Sequence, residues 1–135
     1  YGTMATTLLI FAGGGLGALA RFALSRAING LLPAQLPWGT LFVNVIGSFL
    51  MGLVLVLADA ALLNPSWRVF AAVGFIGAFT TFSTYAFETV ALLQRRAYGP
   101  AFWNFFSNNT ASWAAIGLGM AFASFLLSVA RGQRP

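Results

Sequence analysis

The chain has 135 residues, of which 59% are hydrophobic and 7% charged, with a formal net charge of +5 and neither cysteine nor histidine. A soluble domain carries roughly 25% charged residues, so this chain lacks the means to cover a surface in water, and an integral membrane protein is the class that fits. Disulfides, thiolate metal sites and histidine-dependent mechanisms are excluded. The seven arginines, set against only Asp59 and Glu88, are scattered near segment ends, which suits anionic lipid headgroups rather than nucleic acid.

The chain opens at Tyr1 without the charged n-region of a signal peptide, which reads as a trimmed start. Nothing is long enough for a second domain, so residues 1–135 are read as one integral membrane domain. A spanning helix needs about 20 mostly apolar residues. Four segments qualify, over 4–28, 38–60, 67–93 and 100–130. Asn29-Gly30 and residues 33–37, then Asn64-Pro65-Ser66, then Tyr98-Gly99-Pro100 separate them. Trp38, Trp67 and Trp103 stand at segment starts, where amphipathic rings sit at headgroup level. Trp113 is placed deeper and expected to pack internally. Four spans put both termini on one side, together with Arg68, Arg131 and Arg134. Arg26, Arg95, Arg96 and a snorkelling Arg21 fall on the other side. This balance gives almost no positive-inside bias, and it points to dual topology with two copies paired as an antiparallel homodimer. Four helices also enclose little room, so their polar faces call for a second subunit.

In the first segment, Gly13 and Gly17 have the spacing of a close-packing face. In the second, Thr40, Asn44 and Ser48 fall on one helix face; Asn44 suits either an anion or an interhelical hydrogen bond. In the third, Gly74 and Gly77 weaken the helix, and the run Thr80, Thr81, Ser83, Thr84 competes for its backbone hydrogen bonds. The expectation is a helix broken near the bilayer midplane. Free carbonyls around residues 77–80 would then hold a small hard cation, unless a closed glycine kink satisfies them. Phe82 and Tyr85 follow on one face, either to present positive ring edges to a dehydrating anion or to pack. Glu88, one turn on, is paired, water-exposed or functional. Arg21 concentrates anions at a pore mouth or snorkels. In the fourth segment, Asn108 and Ser112, with Ser107, Asn109 and Thr110 nearby, form another polar stripe. It reads as a row of donors replacing an anion's water shell, or as helix–helix glue.

Three motifs carry a family resemblance across essentially the whole chain. They are G-x-x-G-A-x-x-R at Gly14–Arg21, G-T-L-x-x-N-x-x-G-S at Gly39–Ser48, and G-x-x-G-x-x-T-T-F-S-T at Gly74–Thr84. In these the chain resembles the small bacterial fluoride ion channels of the Fluc type. The resemblance implies an all-α membrane protein of the bacterial inner membrane, with four transmembrane helices per subunit and an antiparallel dual-topology dimer. It implies two parallel fluoride pores and one central sodium ion that is not transported. By that likeness Gly77 and Thr80 hold the sodium through main-chain oxygens from both subunits. Phe82 and Tyr85 form the stack of ring edges, Asn44 donates to fluoride, and Ser112 belongs to a polar track. Ser83 and Thr84 line the pathway, and Arg21 and Glu88 flank it. The family pattern places phenylalanine where this chain has Tyr85.

Passive fluoride export is therefore the leading function, with selectivity set by pore width and by donors that offset dehydration. Small multidrug exporters share the helix number and dual topology but need an acid in the first helix, and none is present. A proton-coupled fluoride transporter would need a titratable group in the path, and Glu88 is the sole carboxylate of the third segment. A non-transporting subunit would leave Asn44 and the third-segment polar run unexplained. No nucleophile–base pair marks an enzyme, and no P-loop supports ATP coupling. The tyrosine hydroxyl is expected to slow the ion by trapping or obstructing it. Tyr85→Phe should accordingly raise fluoride efflux from proteoliposomes with fold and selectivity kept; equal efflux from both chains would dismiss the hydroxyl's role.

Overall fold

The computed structural model describes residues 3–132. Tyr1, on which the trimmed start is read, and Arg134, counted in the charge balance, lie outside the described residues. Among the described residues, four helical spans are long and apolar enough to cross a membrane: Met4–Leu31, Trp38–Asp59, Pro65–Gln94 and Tyr98–Ala130. The chain is thus an all-helical, multi-pass membrane protein.

The ends of these spans differ from the sequence reading for identifiable reasons. The first continues to Leu31 because Asn29 and Gly30 stay helical; the helix ends where Leu32 turns extended ahead of Pro33. Asn29 is not a turn residue here. Its Oδ1 accepts the Gly39 N–H at 2.7 Å, capping a second span whose own cap position is Pro37, which offers no side-chain bond. Trp38 ties down the intervening loop by donating Nε1–H to the Pro33 carbonyl at 3.1 Å. The third span begins at Pro65 rather than Trp67. Asn64 Oδ1 accepts the Ser66 N–H at 2.9 Å and proline occupies the first helical position. The fourth begins at Tyr98, with Pro100 inside its first turn, where a missing N–H leaves no bond unmade.

Within the third span the helix is not uniform. Val69–Ile76 winds in wide turns of the π type. Regular turns resume at Gly77–Phe79, and then Thr80 (φ −85°, ψ 158°) and Thr81 (φ −151°, ψ 115°) are extended. A new helix runs over Phe82–Gln94 and is capped by Thr81, whose Oγ1 accepts the Thr84 N–H at 3.2 Å. The residues that leave the helix are the two threonines and not the glycines.

The second and fourth spans pack along one another, and the first packs on the opening half of the third. Glycines permit both approaches. A Cβ on Gly13 or Gly17 would run into the backbone at Phe70 and Phe75. Gly52 and Gly119 play reciprocal parts, the first against the Ile116 carbonyl and the second against that of Phe49. Apolar side chains such as Phe11, Leu19, Phe22 and Phe125 are exposed all round the isolated chain, as a chain bathed in lipid requires. Trp113 does not pack internally: it is 75% exposed, because it lies on the outer edge of a cavity between the second, third and fourth spans.

These contacts distinguish two glycines on one helix. Gly119→Ala should destabilise the fold by about 1–3 kcal/mol, since the new methyl meets backbone that cannot move aside. Gly117→Ala, with open space around it, should be neutral or slightly stabilising. Thermal unfolding in detergent separates the two.

Candidate functional site

Two extended residues inside an apolar span leave backbone groups that water cannot reach, and each group needs a partner. Asn44 supplies both for Thr81. Its Oδ1 accepts the Thr81 N–H at 2.8 Å, and its Nδ2 donates to the Thr81 carbonyl at 3.1 Å. The second amide proton goes to Asn108 Oδ1 at 3.0 Å. Asn108 in turn donates to the carbonyl and to Oδ1 of Asn104, both at 3.0 Å. Asn104 donates to Thr89 Oγ1 at 2.9 Å, and Thr89 donates to the Tyr85 carbonyl at 2.8 Å. A circuit of three amides and the Thr89 hydroxyl thus joins the break in the third span to the helix that follows it. Asn104 and Asn108 are buried, at 2% and 5% exposure, so the circuit lies away from lipid.

The helix leading into the break is closed by Thr80, whose N–H and hydroxyl both donate to the Ile76 carbonyl, at 3.0 and 3.1 Å. Gly47 lies directly beneath; a Cβ there would strike the Thr80 methyl. In an unbroken helix the Thr81 N–H would return to the Gly77 carbonyl. Here it is given to Asn44, so the Gly77 oxygen loses its helical donor. Gly77 is exposed on the chain, and the extended Thr80 turns its carbonyl out of the helical row. Two hard main-chain oxygens close in sequence fit the donor chemistry of sodium, although one chain supplies only part of a coordination shell.

Two cavities meet at Thr81. The first, of about 290 Å³, is lined by Asn44, Gly47, Ser48, Thr80, Thr81, Phe82, Tyr85, Asn108, Asn109, Ser112 and Trp113 among others. Phe82 and Tyr85 sit edge to face in its wall, with ring centroids 5.4 Å apart and planes at 69°. Tyr85 is buried at 6% exposure and Phe82 is 76% exposed. The Tyr85 hydroxyl accepts from Asn109 Nδ2 at 2.9 Å. The Ser112 hydroxyl is buried without a partner among the described residues. The second cavity, of about 510 Å³, is lined by Arg21, Ser25, Arg26, Asn29, Thr40, Thr81, Thr84 and Glu88, with Ala18 and Phe22. In it Thr40 Oγ1 donates to Glu88 Oε1 at 2.8 Å, while Glu88 Oε2 is buried and, among the described residues, unpartnered.

The candidate residues therefore divide. Asn44, Thr80, Phe82, Tyr85 and Ser112 converge on the first cavity; Arg21, Thr84 and Glu88 converge on the second. Ser83 lines neither. It is exposed, with its hydroxyl 3.5 Å from that of Thr81. Gly77 also stands outside both. The two amide protons of Asn44, read from sequence as donors suited to an anion, are taken up by Thr81 and Asn108. Sequence reasoning passes over Asn104 and Thr89. The four-residue recurrence of Asn104, Asn108 and Ser112 is the signal that could have found the first of them.

A family model described as CrcB-like protein, Camphor Resistance (CrcB), matches residues 8–120. Among curated relatives, a fluoride-specific ion channel FluC of Thermus thermophilus is 50% identical over 94 residues, covering 70% of this chain and 75% of the relative. Proteins of the same name from Koribacter versatilis and Acidobacterium capsulatum are 41% and 43% identical. Those alignments cover 81% and 84% of this chain, and 87% and 91% of the relatives.

Removing the Asn44 amide strands two backbone groups at once. Asn44→Ala should cost about 2–4 kcal/mol of stability, from the desolvation of an unpaired N–H and C=O. Limited proteolysis in detergent should show new cleavage close to residues 80 and 81. Unchanged melting and cleavage would show that other groups hold Thr81.

Proposed function

The chain belongs to the CrcB-like family, and we propose from that premise that it is a passive, fluoride-selective ion channel exporting fluoride across the bacterial inner membrane. One observation carries the reading. Beside the break in the third span, the edge-to-face pair Phe82–Tyr85 and the unpartnered Ser112 hydroxyl face a single small cavity. A small, strongly hydrated anion needs compact donors in place of its water, and ring edges and free hydroxyls are neutral donors of that kind. The name fluoride-specific ion channel, borne by relatives that cover most of this chain, supplies the identity of the anion.

In this mechanism the wider second cavity is the approach. Arg21 and Arg26 raise the local anion concentration there, and Glu88, tethered by Thr40, tempers that field and hinders tight trapping. The anion passes Thr81 and sheds water against Phe82, Tyr85 and Ser112. Thr84 lies on the approach, and Ser83 on the outer rim of the break. Asn44 keeps the break open and shaped, and its contact with the ion is secondary to that task.

The working unit is an antiparallel dual-topology homodimer, with the third span broken at the bilayer midplane and one pore for each subunit. Support comes from the outward face of the break. Gly77, Ser83 and Thr84 are exposed there beside Phe82, and polar groups so placed cannot face hydrocarbon. The main-chain oxygens of Gly77 and Thr80 from two copies would hold a structural sodium ion, which neutralises the carbonyl ends of the broken helices at the two-fold axis.

Proteoliposomes loaded with sodium fluoride should release fluoride far faster than the same proteoliposomes loaded with sodium chloride release chloride, and without dependence on a proton gradient, as expected of a selective pore. Replacing sodium with a large organic cation throughout purification should abolish release. Comparable chloride flux would reject selectivity, and sodium-independent release would reject the cation site.

A further inference from the structure

The fourth span contains Ser107, Thr110, Ser112, Ser124 and Ser128. Four of these hydroxyls return to their own helix: Ser107 to the Trp103 carbonyl, Thr110 to Phe106, Ser124 to Met120 and Ser128 to Phe125. This is how hydroxyls are ordinarily satisfied in an apolar helix. Ser112 is the exception. Its oxygen is buried and bonds to nothing among the described residues, although the Asn108 carbonyl lies one turn behind it.

A second hydroxyl in the same cavity is prepared differently. The Tyr85 oxygen accepts the Asn109 Nδ2–H at 2.9 Å, and among the described residues its own proton has no acceptor. A phenol has one proton to give, and an accepted hydrogen bond polarises the O–H and strengthens its donation. Asn109 is itself held, since the same Nδ2 also bonds the Phe105 carbonyl at 2.7 Å. Asn109 and Ser112 are three residues apart on one helix, hence neighbours on its surface, and both line the cavity with Tyr85.

From these observations we infer that the hydroxyls of Tyr85 and Ser112 form a two-donor binding site for a small halide, and that Asn109 is the residue that positions the tyrosine. The inference rests on the reading of this cavity as part of the fluoride path and assigns a resting point within it. Both donors are neutral, so the site takes up the anion without a fixed counter-charge and can release it again. Asn109 acts only through Tyr85. Its effect on the ion must vanish when the tyrosine hydroxyl is absent.

That dependence is the test. Four purified, sodium-loaded dimers are compared: the natural chain, Tyr85→Phe, Asn109→Ala and the double variant. Each is titrated with sodium fluoride in detergent by calorimetry, and its fluoride efflux from proteoliposomes is measured as a function of internal fluoride. Loss of one hydrogen bond to an anion corresponds to about a tenfold change. Tyr85→Phe should therefore weaken fluoride binding about tenfold and raise the half-saturating concentration to match. Asn109→Ala should produce a smaller shift in the same direction, and in the Tyr85→Phe background it should produce none. Additive shifts, or a Tyr85→Phe chain that binds as the natural one does, overturn the site. Tyr85→Phe removes a single oxygen from an intact ring, and retained sodium-dependent dimer on gel filtration shows that it folds. A natural chain that binds fluoride but fails to conduct it supports the site and overturns the channel reading. A conducting natural chain with unaltered binding in the Tyr85→Phe variant does the reverse.

Discussion

The two hydrogen bonds between the Asn44 amide and the backbone of Thr81 hold the rest of the site in place. An extended pair of residues cannot survive in an apolar span unless its polar groups are matched. A carboxamide is the side chain that offers a donor and an acceptor at the spacing of a peptide group. Asn44 therefore completes, from a neighbouring helix, the bonds that Thr81 gives up by leaving its own. The surrounding sequence serves that contact. Gly47, one turn beyond Asn44, lets the break lie against the second span, and Asn108 uses the amide proton that Thr81 does not. The close approach of the second and fourth spans at Gly52 and Gly119 brings Asn108 within reach.

Because the break is held open, the space around it is partitioned. On one side lies the larger, charged cavity of Arg21, Arg26 and Glu88; on the other is the smaller, neutral cavity of Phe82, Tyr85 and Ser112. On the proposed channel reading, this order suits a dehydrating anion. Charge acts at long range and attracts a hydrated ion, whereas a full positive charge at the constriction would bind it too firmly for release. Thr81 belongs to both cavities and caps the helix that carries Tyr85 and Glu88, so one residue fixes the register of both.

Much of this arrangement was legible in the sequence. Hydropathy and Pro/Gly punctuation locate four spans because a bilayer demands long apolar helices. The crowd of hydroxyls at residues 80–84 marks the third span as unusual because lipid has no use for them. Two things were not legible. Asn29-Gly30 carries a turn signature, yet it stays helical because Asn29 caps a different helix, a tertiary contact that no local pattern encodes. The two Asn44 protons go one each to Thr81 and Asn108, acceptors that lie 37 and 64 residues away in the chain. Trp113 is exposed, against the sequence expectation, for a related reason. Depth along a helix follows from counting residues, but which way a ring faces depends on the partners of that helix.

The polar residues of the site also differ in kind, and the difference follows from their chemistry. The amides of Asn44, Asn104 and Asn108 are consumed by one another, by Thr89 and by backbone. A carboxamide has fixed donors and acceptors on a planar frame, so it suits a permanent structural bond and would strand several groups if it turned towards a passing ion. A hydroxyl has one proton on a rotor. In the proposed site, Ser112 and Tyr85 would turn that proton toward an ion or away from it without breaking a structural contact. Under the proposed function, amides would shape the opening and hydroxyls would meet its contents, the separation expected where a membrane protein must keep a rigid frame around a transient guest. In this chain the separation follows sequence position. The amides recur at 104 and 108, and the free hydroxyl stands at 112, one turn further along the same helical face.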